Sequence, residues 1–270
     1  MKAILTVLGS GTSMGVPTIG CDCRVCRSTD PHDRRTRPSI MLEWDGRRVL
    51  IDTTPDFREQ ALREGIDRVD AVLYTHGHAD HILGLDDLRP LTFPRVTGGP
   101  KVPLFANAAT AKVLQQVFRY VFEASYKYGG LAQVELKELD GPVELFGATF
   151  LPVSILHGDA EIVGYRFGNA AYLTDFSTIP EASLGCLDGL DILFLDALRH
   201  HPHPTHSTVE NSLKIVERLN PKRTFFTHIS HDLAHEETNS ALPPHVRLAH
   251  DGLRLEFDIW KEDDAAHPQT

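Results

Sequence analysis

The chain has 270 residues, 41% hydrophobic and 24% charged, ordinary proportions for a globular protein long enough to build a sizeable core. Its net charge of −10 repels polyanions, which argues against nucleic acid as a partner and for a small substrate. No run of about eighteen apolar residues is long enough for a membrane helix. The start, MKAILTVLGSGTS, lacks the basic, long-apolar and small-residue parts of a secretory signal, so a cytoplasmic location is expected.

Residues 1–8 read as a strand that enters a loop at Gly9-Ser10-Gly11. Residues 39–45 and 48–54 form two strand-like runs joined by Asp45-Gly46, a hairpin signal. A helical pattern over 57–64 stops at Gly65, and 71–74 is a short buried strand. Residues 109–122 read as one helix. The second half is expected to repeat the order, with strands near 143–146, 148–155, 162–167, 170–174 and 191–195 and a helix over 208–219 ended by Asn220-Pro221. A strand at 224–227 follows, and 246–249 with 253–258 are expected to close the chain as a hairpin around Asp251-Gly252. Strands first and helices later in each half predict an α/β fold, two sheets face to face with helices outside in a four-layer αβ/βα sandwich. Residues 1–260 are expected to be a single domain and 261–270 a polar tail.

The chemistry concentrates in the histidines. Of fifteen, nine fall in two stretches: His76, His78 and His81, then His200, His201, His203, His206, His228 and His231. Thr75-His76-Gly77-His78-Ala79-Asp80-His81 puts three imidazoles and a carboxylate directly after a buried strand. The extended part aims His76 and His78 one way, and Asp80 and His81 curl into the first turn of the next helix. One loop can thus serve two neighbouring metal ions. The remaining ligands should lie at strand ends, where His157, Asp175 and His228 stand. The seven divide into His76, His78 and His157 for one ion and Asp80, His81 and His228 for the other, with Asp175 bridging.

Two divalent ions, two carboxylates and a bridging hydroxide leave about one positive charge in an acidic protein, which suits a small anionic substrate. Such a pair lowers the pKa of bound water and clamps the attacking and leaving oxygens of an in-line displacement. Imidazole with carboxylate suits zinc or manganese, and iron is also compatible.

This run resembles the H-x-H-x-D-H motif of the metallo-β-lactamase superfamily, with His157, Asp175 and His228 at its later ligand positions in order. The resemblance covers nearly the whole chain and implies the sandwich fold and the ligand division above. Asp52, ending Val49-Leu50-Ile51, matches the family's early aspartate, which orients the ligand loop from behind.

Cys21, Cys23 and Cys26 supply three thiolates on one loop, one short of a tetrahedral structural zinc site. The fourth ligand is sought in Cys186 or in His231, and His231, three residues after His228, is the better placed. Gly9-Ser10-Gly11-Thr12 with the cysteine loop, and Thr227-His228-Ile229-Ser230-His231 with Asn239-Ser240-Ala241-Leu242-Pro243, are similar to the cyclic-phosphate phosphodiesterases of phosphonate breakdown. That similarity implies zinc at Cys21, Cys23, Cys26 and His231, a homodimer, and a catalytic role for His206.

His206 also stands out on its own, since it lies near the end of a proline-stiffened loop that leads into a helix that Ser207 or Thr208 could cap. It is expected to stabilise or protonate the leaving oxygen, with Asp80 as the other catalytic residue and Asp196 as its candidate orienter. Residues 95–130 have no counterpart in the signature and are expected to be either a lid or a surface loop. The resulting reading is a binuclear metal-dependent phosphodiesterase acting on a small cyclic or nucleotide-like ester. A transfer-RNA 3′-end nuclease, a lactone or thioester hydrolase, and a non-catalytic metal-dependent binding protein are the competing readings.

Overall fold

The computed structural model describes residues 1–92, 100–123 and 130–260. The chain opens with β1 (Lys2–Gly9), β2 (Ser39–Trp44) and β3 (Arg47–Ile51), then α1 (Phe57–Glu64) and β4 (Ala71–Leu73). After the ligand loop come α2 (Ala79–Ile82), α3 (Arg89–Thr92), β5 (Val102–Ala106), α4 (Ala108–Val117), α5 (Arg119–Phe122) and β6 (Val134–Glu138). The second half holds β7 (Val143–Leu145), β8 (Ala148–His157), β9 (Ala160–Phe167), β10 (Ala170–Leu173), α6 (Glu181–Leu184), β11 (Ile192–Asp196) and α7 (Val209–Leu219). It ends with β12 (Arg223–Thr227), α8 (His235–Ala241), β13 (Val246–Leu248) and β14 (Arg254–Asp258).

Two sheets of seven strands result, ordered β14-β1-β2-β3-β4-β5-β6 and β13-β12-β11-β10-β9-β8-β7. Their facing surfaces bury one apolar layer that includes Leu5, Leu42, Val49, Tyr165, Phe167 and Phe194. A second layer lies under α1 and α4, with Leu50, Phe57, Leu104 and Leu114, and a third under α7, with Leu193, Leu195, Val209 and Val216. Helix, sheet, sheet and helix are the four layers expected, because each sheet buries both faces.

Several local signals act as predicted. Asp45 and Gly46 both take positive φ between β2 and β3, as a two-residue hairpin turn with the right twist requires. Gly65 caps α1 in the left-handed conformation, Thr208 caps α7 by accepting from the Asn211 N–H, and Asn220 ends that helix.

Three expectations need correction. The chain does not close as a hairpin: β13 pairs in parallel with β12 in the second sheet, while β14 pairs with β1 in the first. The Asp251-Gly252 turn is docked rather than free. The Gly252 N–H bonds Val7 O at 2.8 Å, and the buried Asp251 carboxylate accepts from the N–H and hydroxyl groups of Ser10 and Thr36. These contacts direct β14 away from its neighbour in sequence.

The predicted helix over 109–122 is two helices, broken at Phe118, whose ψ of 37° leaves the helical region. The candidate lid at 95–130 is in part an integral strand, since β5 fills the place between β4 and β6. Residues 95–99 and 124–129 of that stretch, and the tail 261–270, lie outside the described residues.

Candidate metal centre

Every predicted ligand of the two-ion site sits at or just beyond the C-terminal end of a strand, on the edge where the two sheets meet. β3 delivers Asp52, β4 the ligand loop, β8 His157, β10 Asp175, β11 Asp196 and β12 His228. The second sheet also grips the ligand loop: the Tyr165 hydroxyl donates to Tyr74 O at 2.7 Å and the Val163 N–H to Thr75 O at 3.0 Å. Asp52, Asp175 and His228 all carry positive φ, at 66°, 59° and 56°. For residues with a side chain this backbone state costs about 1–2 kcal/mol each, a strain the packed strand ends must hold in place. Below the loop, a Cβ on Gly84 would lie 2.0 Å from Thr54 O, so only glycine lets α2 return to β3 this closely.

The donor atoms converge in two adjoining groups. One is His76, His78 and His157; the other is Asp80, His81, Asp175 and His228, with the donor atoms of each group within 4.8 Å of one another. Asp175 also falls in a third group with His157 and His206, which puts it between the two sets, where a bridging ligand belongs.

In the second group His81 Nε2 lies 3.3 Å from both Asp80 Oδ2 and Asp175 Oδ2. His228 Nε2 lies 3.5 Å from Asp80 Oδ2 and 3.1 Å from Asp175 Oδ1. Charge-assisted hydrogen bonds would be shorter, whereas two ligands of one tetrahedral zinc stand roughly 3.3 Å apart. The Nε2 atoms of His76, His81 and His228 are buried with no hydrogen-bond partner, a costly state for a polar atom unless an ion completes it. The donor set therefore fits divalent cations.

The other nitrogen of His81 and of His157 is held. Asp52 Oδ2 lies 2.7 Å from His81 Nδ1, and Asp52 is itself fixed by the Thr75 N–H and hydroxyl, both at 2.8 Å. His157 Nδ1 donates to Asp175 O at 2.6 Å. Such contacts set the tautomer that leaves Nε2 free for metal. Sequence reading placed Asp52 in this role, but Thr75, which anchors it, went unrecognised because it looks like an ordinary strand-end threonine.

The two groups differ in protonation. Burial pushes His76 and His157 down, so both are neutral and ready to ligate. Burial also works to lower His81 and His228. There, however, Asp175 and Asp80 dominate, holding His81 well above the usual range and raising His228 to about 9. Burial would likewise raise Asp80 and Asp175, but the two imidazoles hold both carboxylates below their usual range. Metal must expel those imidazole protons. Zinc titrated into chelator-treated protein should release protons at pH 7, and affinity at the aspartate-rich group should rise with pH through about 9, where His228 loses its proton. Calorimetry in buffers of different ionisation heat checks this, and proton-neutral binding would refute it.

His206 lies beside the centre. Its Nδ1 is 2.7 Å from Asp196 Oδ2, and its ring stacks on His228 at 4.5 Å and meets His157 edge-on at 4.7 Å. Burial, with His228 alongside, lowers its pKa to about 4, and burial raises that of Asp196. Its side chain is 12% exposed, and with Nδ1 engaged, Nε2 is the nitrogen free for a substrate. His200, by contrast, pairs with Glu210 on the exposed surface.

The cysteine loop closes on His231, whose Nδ1 is 3.2 Å from Cys21 Sγ, 3.5 Å from Cys23 Sγ and 3.4 Å from Cys26 Sγ. Sulfur and nitrogen ligands of one tetrahedral zinc would be roughly 3.5 Å apart. Cys186 is not part of this group. The Cys26 N–H points at Cys23 Sγ and draws that thiol down to about 7, toward the thiolate a metal needs. Arg35, whose side chain is wholly buried, joins the two segments by donating to Ser230 O, Leu233 O and Asp33 Oδ1. Nothing in its local sequence marks it for this task.

Comparisons with known proteins agree with this fold. A family model for a beta-lactamase superfamily domain matches residues 47–229. The structure of a new diphosphatase from the PhnP family superposes with a TM-score of 0.91 at 67% identity, covering 96% of this chain and 98% of that one. Zinc-bound PqqB from Methylobacterium extorquens shares the fold, with a TM-score of 0.72 at 22% identity over 93% of this chain and 99% of that one. An octanoyltransferase of Porphyromonas gingivalis is 41% identical over 96% of this chain, but the chain spans only about half of that relative, 52% of its length. The name of a protein so much longer does not say which half carries its activity. With a matching family model, two facing sheets and the ligand edge between them, the chain belongs to the metallo-β-lactamase superfamily of hydrolases and is similar to the PhnP family.

Proposed function

We propose that this protein hydrolyses a phosphodiester or diphosphate linkage in a small anionic substrate. Residues 1–260 act in this reading as one hydrolase unit. His76, His78 and His157 hold one divalent ion, Asp80, His81 and His228 a second, and Asp175 both; zinc or manganese suits these donors, and iron is compatible. A separate structural zinc belongs to Cys21, Cys23, Cys26 and His231. The observation that carries the phosphoryl reading is the 67% identity, over 96% of the chain, to a protein described as a diphosphatase. The same ligands can also activate water for acyl transfer, so the donor set alone does not choose.

When bound, the ion pair supplies a water nucleophile at neutral pH and charge stabilisation for the phosphoryl oxygens. The chain's own residues do the rest. Asp52 and Thr75 keep His81 in register, and Asp80 fixes the loop against His228. His206 stands where it can give a proton from Nε2 to the departing oxygen while Asp196 makes good the proton at Nδ1. Burial keeps that pair's proton near the carboxylate until it is needed.

Turnover of bis-p-nitrophenyl phosphate with zinc or manganese, lost in His78→Ala, tests the reaction class. Release of inorganic phosphate from a diphosphate, or opening of a cyclic phosphate, then separates the two linkages. A protein that cleaves p-nitrophenyl acetate but no phosphoryl ester would refute the proposal. For His206→Ala we expect kcat to fall at least about tenfold with metal content unchanged, as read by steady-state rates and elemental analysis. An unaltered kcat would remove His206 from the reaction. The resemblance also implies a homodimer, and a cytoplasmic location is expected; sedimentation and cell fractionation would check them.

A further inference from the structure

Beside the imidazoles of His76, His78 and His157 lies a pocket of about 180 Å³ that the hydrolytic roles above leave unused. Its floor is those three ligands. Its walls are mostly apolar, built by Ala109 and Val113 on α4 and by Ala160 and Ile162 at the start of β9, with Thr110 among them. Val113 is half-buried and Ala109 exposed, so both present their side chains toward the opening while Leu114 faces the core. Gly77 allows this approach, since a Cβ there would press on Val113 at 3.1 Å.

The polar character of the lining points the same way. Among the described residues that line the pocket there is no lysine or arginine, and the charged one is Glu161, whose carboxylate accepts from Ser154 Oγ at 2.7 Å. A second phosphate would meet apolar walls and a carboxylate instead of a cation, and would lose its hydration without replacement. A flat, uncharged ring would bury its faces on methyl groups at no such cost. The space is below the roughly 300 Å³ at which drug-sized pockets begin, and one ring-sized group fills it.

We infer that this pocket is the subsite for an uncharged aryl or nucleobase-like group carried by the substrate's phosphoryl centre. The inference rests on the hydrolytic reading above and narrows it: the substrate is an ester of a ring-bearing group, with its negative charge confined to the phosphorus end.

The test is binding, measured by calorimetry on zinc-loaded protein with methylphosphonate, phenylphosphonate and 4-carboxyphenylphosphonate. Phenylphosphonate should bind at least about tenfold tighter than methylphosphonate, and the added carboxylate should erase that gain. Val113→Asp should also erase it, read as the ratio of phenylphosphonate to methylphosphonate affinity. Ala109→Asp, at an exposed helical position, repeats the test without touching the core. Glu161→Gln should restore several-fold tighter binding of the carboxylated probe.

Equal affinities for the methyl and phenyl probes would overturn the subsite, as would a phenyl preference that survives both aspartate variants. Turnover of bis-p-nitrophenyl phosphate is read in parallel. Phenyl-selective binding without any phosphoryl turnover would keep the subsite and overturn the hydrolytic reading. Turnover without phenyl selectivity would do the reverse, and no binding of any probe would overturn both.

Discussion

Asp175→Ala is expected to lower turnover of bis-p-nitrophenyl phosphate at least about 100-fold and to strip the catalytic ions while sparing the cysteine site. Asp175 presents one oxygen to His81 and the other to His228, at 3.3 and 3.1 Å. Its backbone carbonyl also takes the Nδ1 proton of His157, so the same residue touches ligands of both groups. The alanine variant keeps that carbonyl but loses both carboxylate oxygens. The cost is therefore a loss of charge and of the shared donor rather than collapse of His157.

Elemental analysis beside the rate assay separates the two consequences. Retained metal with lost activity would mean that Asp175 serves catalysis alone, and retained activity would remove it from the centre. In folding terms the variant should be tolerated, because a carboxylate between two imidazoles is held there for metal rather than for packing. Glycine at this position would relax the φ of 59° and test the same loss with less backbone strain.

Arg35→Ala is expected to destabilise the fold by about 3–5 kcal/mol. The guanidinium is fully enclosed, and burial lowers its pKa only to about 10, so it stays charged at neutral pH. Its removal leaves Asp33 as a buried carboxylate without its cation and takes a donor from Ser230 O and Leu233 O. Those two carbonyls flank His231, so the turn that completes the cysteine site loosens with them.

We therefore expect a lower midpoint of chemical denaturation and partial loss of the structural zinc. Cys23→Ser is the control: it should lose the same ion, leave the catalytic pair in place, and cost less stability than Arg35→Ala. If Arg35→Ala denatured at the wild-type midpoint, the brace would have no energetic role. If it lost stability with zinc fully retained, the contribution would be to packing alone.

Much of the centre was legible without coordinates because its information is local. Thr75 to His81 is one continuous strand-to-helix turn, and backbone geometry over seven residues decides which side chains can share an ion. Cys21, Cys23 and Cys26 are equally local. His157, Asp175 and His228 were readable because each ends a run of buried strand residues, and strand ends face the same edge of a sheet.

What sequence alone could not decide depends on partners far along the chain. Local turn chemistry at Asp251-Gly252 favoured a hairpin, but contacts with Val7, Ser10 and Thr36, more than two hundred residues away, sent β14 to the opposite sheet. β5 went unread because a short strand alternating buried and half-buried positions carries too weak a period to stand apart from its surroundings. Arg35 looks like any surface arginine until the carbonyls of Ser230 and Leu233 close over it. The apolar wall of Val113 and Ala109 is likewise a tertiary fact, whereas His231 as the fourth ligand of the cysteine loop and Asp196 as the partner of His206 were already candidates in the sequence. The sequence determined the chemistry the chain carries and the strand ends from which it is presented. The tertiary structure decided which distant groups orient that chemistry and what shape of substrate it can meet, because burial and charge pairing are set by neighbours in space.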